Sequence, residues 1–83
     1  MKLLYFAWLR TRIGIGEETV EPPAEVRTVA DLLEWLPTRG PRFAEALADR
    51  NAIRVAVNQD YAKPADPIGA GDEVALFPPV TGG

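Results

Sequence analysis

The chain has 83 residues, nine Lys and Arg against twelve Asp and Glu for a net charge of −3, 47% hydrophobic residues, and neither cysteine nor histidine. That inventory excludes a disulfide framework, a Cys- or His-based zinc site, a thiol nucleophile and an imidazole base, and a chain of this length has room for one core. The acidic balance and the lack of any Lys/Arg cluster also argue against direct nucleic-acid binding, which needs a basic stripe to replace phosphate counterions.

Residues 3–9 form the first apolar run, bounded by Lys2 on one side and by Arg10 and Arg12 on the other. Seven residues are too few for a membrane span or a signal peptide, so the run reads as a buried strand and the expected setting is the cytoplasm. Alternation along that strand puts Leu3, Tyr5 and Ala7 on one face and Leu4, Phe6 and Trp8 on the other. Gly14 and Gly16 break the pattern, and Glu17 to Glu21 reads as a second, more exposed strand stopped by Pro22 and Pro23. Together these segments predict a β-hairpin with a long connection.

The period then changes. Val29, Leu32, Leu33 and Leu36 fall at i, i+3, i+4 and i+7, with Thr28 as N-cap and Asp31 near the positive end of the helix. Pro37 ends this helix or breaks it at Leu36, and a second short helix starts at Pro41, with Phe43 and Leu47 one turn apart. Residues 53–57 alternate as a strand, 58–60 are turn material, and Tyr61-Ala62 is a short fourth strand. Pro64 and Pro67 keep the following segment irregular, and Glu73 to Phe77 is the last strand, barred from continuing by Pro78 and Pro79. No repeat or linker divides the chain, so residues 1–83 are expected to be one α+β domain. The expected architecture is a β-grasp, or ubiquitin-like, fold: a mixed sheet of about five strands, one main crossover helix and a short second helix, with 78–83 as a flexible C-terminal tail.

Two features carry function. If Leu3, Tyr5, Val55, Val57, Val74 and Leu76 face the helix, the opposite parity brings Phe6, Trp8, Ala56, Ala75 and Phe77 to the open face, with Arg54 and Glu73 among them. Three aromatics separated by small residues mark a partner-binding patch. The second feature is the tail Pro78-Pro79-Val80-Thr81-Gly82-Gly83, which spans at most roughly 20 Å when extended and ends in two residues without Cβ atoms. Such a tail can thread a narrow channel while the domain stays outside. Its terminal carboxylate is an anion at neutral pH and a poor electrophile, so acyl chemistry there requires activation, for example by adenylation. Asp72-Glu73 does not read as an acid/base pair, because neighbours on a strand point to opposite faces.

The segment from Gly71 to Gly83, with Gly-Asp-Glu-Val, Phe-Pro-Pro-Val and the final Gly-Gly, closely resembles the C-terminus of the small subunit of molybdopterin synthase in the MoaD/ThiS family of sulfur carriers. Further matches lie at Tyr5-Phe6-Ala7 with Arg10 and Gly14, at Thr28-Val29 with Leu32, and at Ala56-Val57-Asn58-Gln59, so the resemblance covers essentially the whole chain. It implies that Gly83 is adenylated by a ubiquitin-activating-like (MoeB-like) adenylyltransferase and converted to a thiocarboxylate by a sulfur donor. The tail would then enter a large (MoaE-like) synthase subunit, where the sulfur passes to cyclic pyranopterin monophosphate. Gly82 matches the unhindered approach to Gly83, while Phe6, Phe77 and Tyr61 match hydrophobic contacts to these partners; Trp8 departs from the pattern. By the same resemblance the chain is a non-catalytic subunit that binds no cofactor itself, and ATP and the sulfur donor belong to the activating enzyme. Carriers for thiamine synthesis or tRNA thiolation, and ubiquitin-like modifiers joined to lysine, are the alternatives; Phe77-Pro78-Pro79-Val80 favours the molybdopterin branch.

Overall fold

The structure is a computed structural model that describes residues 1–79. Five strands form one sheet in the order β2-β1-β5-β3-β4, with β1 at Lys2–Tyr5, β2 at Glu17–Thr19, β3 at Arg54–Val57, β4 at Asp60–Tyr61 and β5 at Glu73–Phe77. The two strands furthest apart in sequence, β1 and β5, lie side by side and parallel, with Leu3 opposite Val74 and Tyr5 opposite Leu76. The remaining pairings are antiparallel. A mixed sheet crossed by a helix is the expected β-grasp architecture.

Residues 29–35 form the crossover helix, numbered α2 in chain order, at Val29–Trp35, and its start is set by a capping box. Thr28 Oγ1 accepts from the Asp31 N–H at 3.2 Å, and Asp31 Oδ2 accepts in return from the N–H groups of Thr28 at 3.1 Å and Arg27 at 3.0 Å. The Arg27 N–H leads the interactions that hold the Asp31 carboxyl below its usual range. Val29, Leu32 and Leu33 are buried, as is Leu36 in the 3₁₀ turn (Leu36–Arg39) that Pro37 imposes on the helix end. The short helix α3 at Pro41–Ala46 follows and buries Ala46, with Leu47 buried just beyond it. The irregular 63–68 segment is tied to the start of α2, where the Val29 and Ala30 N–H groups donate to Asp66 and Pro64 and the Ile68 N–H donates to Arg27.

One expectation is corrected. The strand predicted over residues 3–9 ends at Tyr5, and Ala7–Ile13 is a helix, α1, lying inside the β1–β2 connection. The turn from strand to helix passes through Ala7 at φ 54°, a left-handed value seldom taken by a residue with a Cβ. The helix pays its way in the core through Leu9 and Ile13, four residues apart and both buried. Gly14 closes it with a left-handed φ of 96°, its N–H donating to the Arg10 carbonyl. The apolar run Leu3 to Leu9 therefore serves two periodicities in succession.

The core is continuous from β1 and β5 to α1 and α2: Leu3, Tyr5, Leu9, Val29, Leu32, Leu36, Val74 and Leu76 are its most deeply buried large side chains. A hydrogen-bonded triad lies at its edge. The Tyr5 hydroxyl donates to Glu18 Oε2 at 2.6 Å, the same oxygen accepts from Arg39 Nη1 at 2.6 Å, and the Arg39 guanidinium lies over the rings of Trp35 and Phe43. Burial and then the Glu18 carboxylate push the Tyr5 hydroxyl well above its ordinary pKa. Burial pushes the Glu18 carboxyl up as well, but the hydrogen bonds from Arg39 and Tyr5 outweigh it and hold the group below the usual carboxylate range.

Candidate functional site: the open sheet face and the base of the C-terminal tail

Strand β5 is central, with β1 on one edge and β3 on the other, and Val74 and Leu76 are both 0% exposed. It delivers the chain to Pro78 and Pro79, both half-buried, from the most fully anchored strand of the molecule. Neither proline has an N–H to extend the ladder, so pairing stops at Phe77 and the chain is released there. Val80, Thr81, Gly82 and Gly83, to which tail insertion and terminal chemistry were assigned, lie outside the described residues.

The open face is built in two rows by the strand register. Leu4, Ala75, Ala56 and Tyr61 stand opposite one another across four strands, and Phe77 stands opposite Arg54. Phe6 continues the second row, because its extended backbone donates to the Leu76 carbonyl at 3.1 Å and so prolongs the parallel ladder by one residue beside Phe77. Tyr61 packs on Phe77 with ring centroids 5.9 Å apart and planes at 57°. Phe6 is 47% exposed and Tyr61 79%, whereas Ala56 and Ala75 are half-buried and lie low between the aromatic rims. The result is a shallow apolar depression beside the point where the tail leaves the sheet.

Trp8 does not reach this face by the alternation expected of it. It sits on α1, half-buried and packed on the core, with Arg12 stacked 5.3 Å from its ring centroid. Strand parity stops applying once the chain turns at Ala7. Phe6, Tyr61 and Phe77 are thus the aromatics that the sheet register gathers, and Leu4 joins them as the residue missing from the expected patch. Its parity with Phe6 was the available signal.

Asp72 has a structural task at the other end of β5. One carboxylate oxygen accepts from the Asn58 amide at 3.1 Å and the other from the Gly69 N–H at 2.7 Å, and these bonds hold its carboxyl below the ordinary range. The Asn58 side-chain oxygen accepts from the Glu73 N–H in return, which fixes the two-residue turn between β3 and β4. Asn58 and Gln59 take positive φ values of 51° and 72°, as a type I′ hairpin turn requires, and this turn sets Tyr61 opposite Ala56. Glu73 stands beside Lys2 on the open face. Among the described residues no group of three or more carboxylates is assembled that could hold a metal ion, and no helix is long and apolar enough to cross a membrane.

The chain matches the ThiS family over residues 3–83. It is 40% identical over 83 residues to the molybdopterin synthase sulfur carrier subunit of Escherichia coli K12, covering 100% of this chain and 99% of that protein. The human protein of the same name is 35% identical over 86 residues, with 100% of this chain and 93% of the human one covered. Among solved structures, the small archaeal modifier protein 1 of Haloferax volcanii superposes with a TM-score of 0.75 at 31% identity, covering 96% of this chain and 97% of that one.

Proposed function

The chain belongs to the ThiS family, and from that premise we propose that it is the sulfur carrier of molybdenum cofactor biosynthesis, loaded at the C-terminal carboxylate of Gly83. The observation that supports this reading most directly is the placement of Phe77-Pro78-Pro79 at the end of the central strand, beside the apolar depression of Phe6, Leu4 and Tyr61. A carrier needs a surface that holds it on its partners and a tail long enough to reach their active sites, and here the first lies at the base of the second.

In the proposed cycle the Gly83 carboxylate attacks the α-phosphate of ATP on a MoeB-like adenylyltransferase and pyrophosphate leaves. Hydrosulfide from the sulfur donor then attacks the acyl-adenylate carbonyl and AMP leaves, giving a thiocarboxylate. On a MoaE-like large subunit the thiocarboxylate sulfur attacks a carbon of the pterin precursor as an oxygen substituent leaves that carbon, and hydrolysis of the acyl–sulfur bond of the resulting thioester leaves the sulfur on the pterin and restores the Gly83 carboxylate. Phe6, Tyr61 and Phe77 dock against both partners, while Pro78, Pro79, Val80 and Thr81 contact the partner along the channel that the tail threads and Gly82 lets the backbone approach closely. The chemistry is supplied by the partners, in the cytoplasm, and the chain contributes the acyl group.

Intact mass after incubation with the adenylyltransferase, ATP and a sulfur donor tests this. The expected product gains the mass difference of one oxygen exchanged for sulfur at Gly83, and the chain lacking Gly83 gains nothing while keeping its unfolding midpoint. An unchanged mass with an active adenylyltransferase would refute the carrier role. A second reading, a protein modifier, is favoured by the likeness to the archaeal modifier; it predicts lysine-linked conjugates that survive denaturing electrophoresis.

A further inference from the structure

Tyr61 is the least buried member of the aromatic row. It is 79% exposed, so burial does not hold it, and its strand β4 is only two residues long. Its ring nonetheless packs on Phe77 across the intervening strand β3. The backbone course of β4 puts it there, and that course is fixed from both ends. Beyond Tyr61 the Ala62 N–H donates to the Val55 carbonyl, and the segment that follows is bonded to the start of α2. Ahead of β4 stands the turn at Asn58 and Gln59.

Asn58 ties that turn to β5. Its N–H donates to the Glu73 carbonyl at 2.8 Å, as the antiparallel β3–β5 ladder requires of the residue after Val57. The return bond of such a pair runs from the Glu73 N–H to a main-chain carbonyl, but here the Asn58 side-chain oxygen accepts it, at 3.1 Å. The left-handed φ of 51° turns the main chain into the hairpin, and the side chain completes the ladder in its place. The same amide donates to Asp72 at 3.1 Å, and the second oxygen of Asp72 accepts from the Gly69 N–H at 2.7 Å. Asparagine suits the position because it tolerates a positive φ and carries donor and acceptor on one planar group. Glycine would take the same backbone angle without the bridge, and aspartate would set a second carboxylate against Asp72.

We infer that Asn58 is a positioning residue for partner docking, which acts through Tyr61 by holding β4 so that the ring stands against Phe77 before a partner arrives. Asn58 itself lies opposite Glu73, four residues and about 13 Å along β5 from Phe77, at the end of the sheet away from the tail. An exposed side chain on a two-residue edge strand has much freedom to lose on binding. A ring already in place loses less, and the difference appears as affinity. This inference rests on the carrier reading, in which a large synthase subunit docks on the open face.

The test measures affinity of the full chain for the large synthase subunit of the same source by titration calorimetry, with the unfolding midpoint of each variant recorded. Asn58→Gly, which keeps the backbone angle and removes the bridge, is expected to weaken binding about three- to tenfold while the chain stays folded. Asn58→Asp should weaken it as well. Adding Asp72→Asn to that variant exchanges amide and carboxylate, rebuilds the bond with donor and acceptor reversed, and should restore most of the loss. In a Tyr61→Ala background Asn58→Gly should weaken binding no further, because its route to the partner is gone. An equal loss with and without Tyr61 would overturn the inference, as would an exchange pair that restores nothing. If Phe77→Ala weakens binding while Asn58→Gly or Tyr61→Ala binds as wild type does, the positioning role is refuted and the carrier reading stands. A wild-type chain that does not bind the large subunit refutes both.

Discussion

Strand β5 has two faces, and they differ in what substitution there should change. Val74 and Leu76 point into the core and are 0% exposed, while Ala75 and Phe77, one residue along in each case, are half-buried on the open face. The inner face belongs to the core cluster that takes in Leu9 of α1 and Val29 and Leu32 of α2, so its burial serves folding. The outer face leaves Phe6 and Tyr61 exposed beside Phe77, and that apolar area is free to contribute to association. A strand in the middle of a sheet can separate stability from binding in this way because its side chains alternate while its backbone stays shared.

The sharpest way to break that comparison is to truncate one residue on each side. Leu76→Ala should cost about 2–5 kcal/mol of folding stability, read from the denaturant midpoint, through lost burial and the cavity left behind. Phe77→Ala should weaken binding to the large subunit by about 2 kcal/mol if the ring is buried at the interface, while moving the denaturant midpoint far less. If Phe77→Ala unfolds the domain as readily as Leu76→Ala, the two faces do not divide their roles.

A smaller effect concerns the Tyr5–Glu18–Arg39 triad, which belongs wholly to folding. Because the Glu18 carboxyl is held below its ordinary range in the folded state, its charged form contributes stability that is fully present above the unfolded value of about 4.3 and is lost as pH falls through the lower folded value. Glu18→Gln should therefore cost about 1 kcal/mol at neutral pH and flatten part of the acid limb of the stability profile. Asp31 and Asp72 are shifted in the same direction and should preserve the rest of that limb. An acid limb unchanged by Glu18→Gln would show that the triad contributes nothing to folding.

Much of the fold was legible locally. The i, i+3, i+4, i+7 spacing from Val29, the Thr28–Asp31 pair and Pro37 define α2 and its ends, and all three act as their chemistry predicts. The alternation of Ile53 to Val57 and of Glu73 to Phe77 likewise placed Val55, Val74 and Leu76 inside. The candidate site was half legible: parity found Phe6 and Phe77 but carried Trp8 with them, because an unbroken apolar run does not announce where a strand ends. Leu9 and Ile13, spaced one helical turn apart ahead of Gly14, held the missing signal for α1.

By itself the sequence determined the elements whose pattern is written in neighbouring residues: the crossover helix, the last three strands, the proline stop after Phe77 and the Gly-Gly end. Only the tertiary structure decided the parallel meeting of β1 with β5, the packing of Tyr61 on Phe77 and the Tyr5–Glu18–Arg39 triad. The physical reason is range. Periodicity, capping and proline sterics act within a turn or two of chain, whereas β1 and β5 are brought together only when the whole core closes between them, and the open face exists only once that sheet has formed.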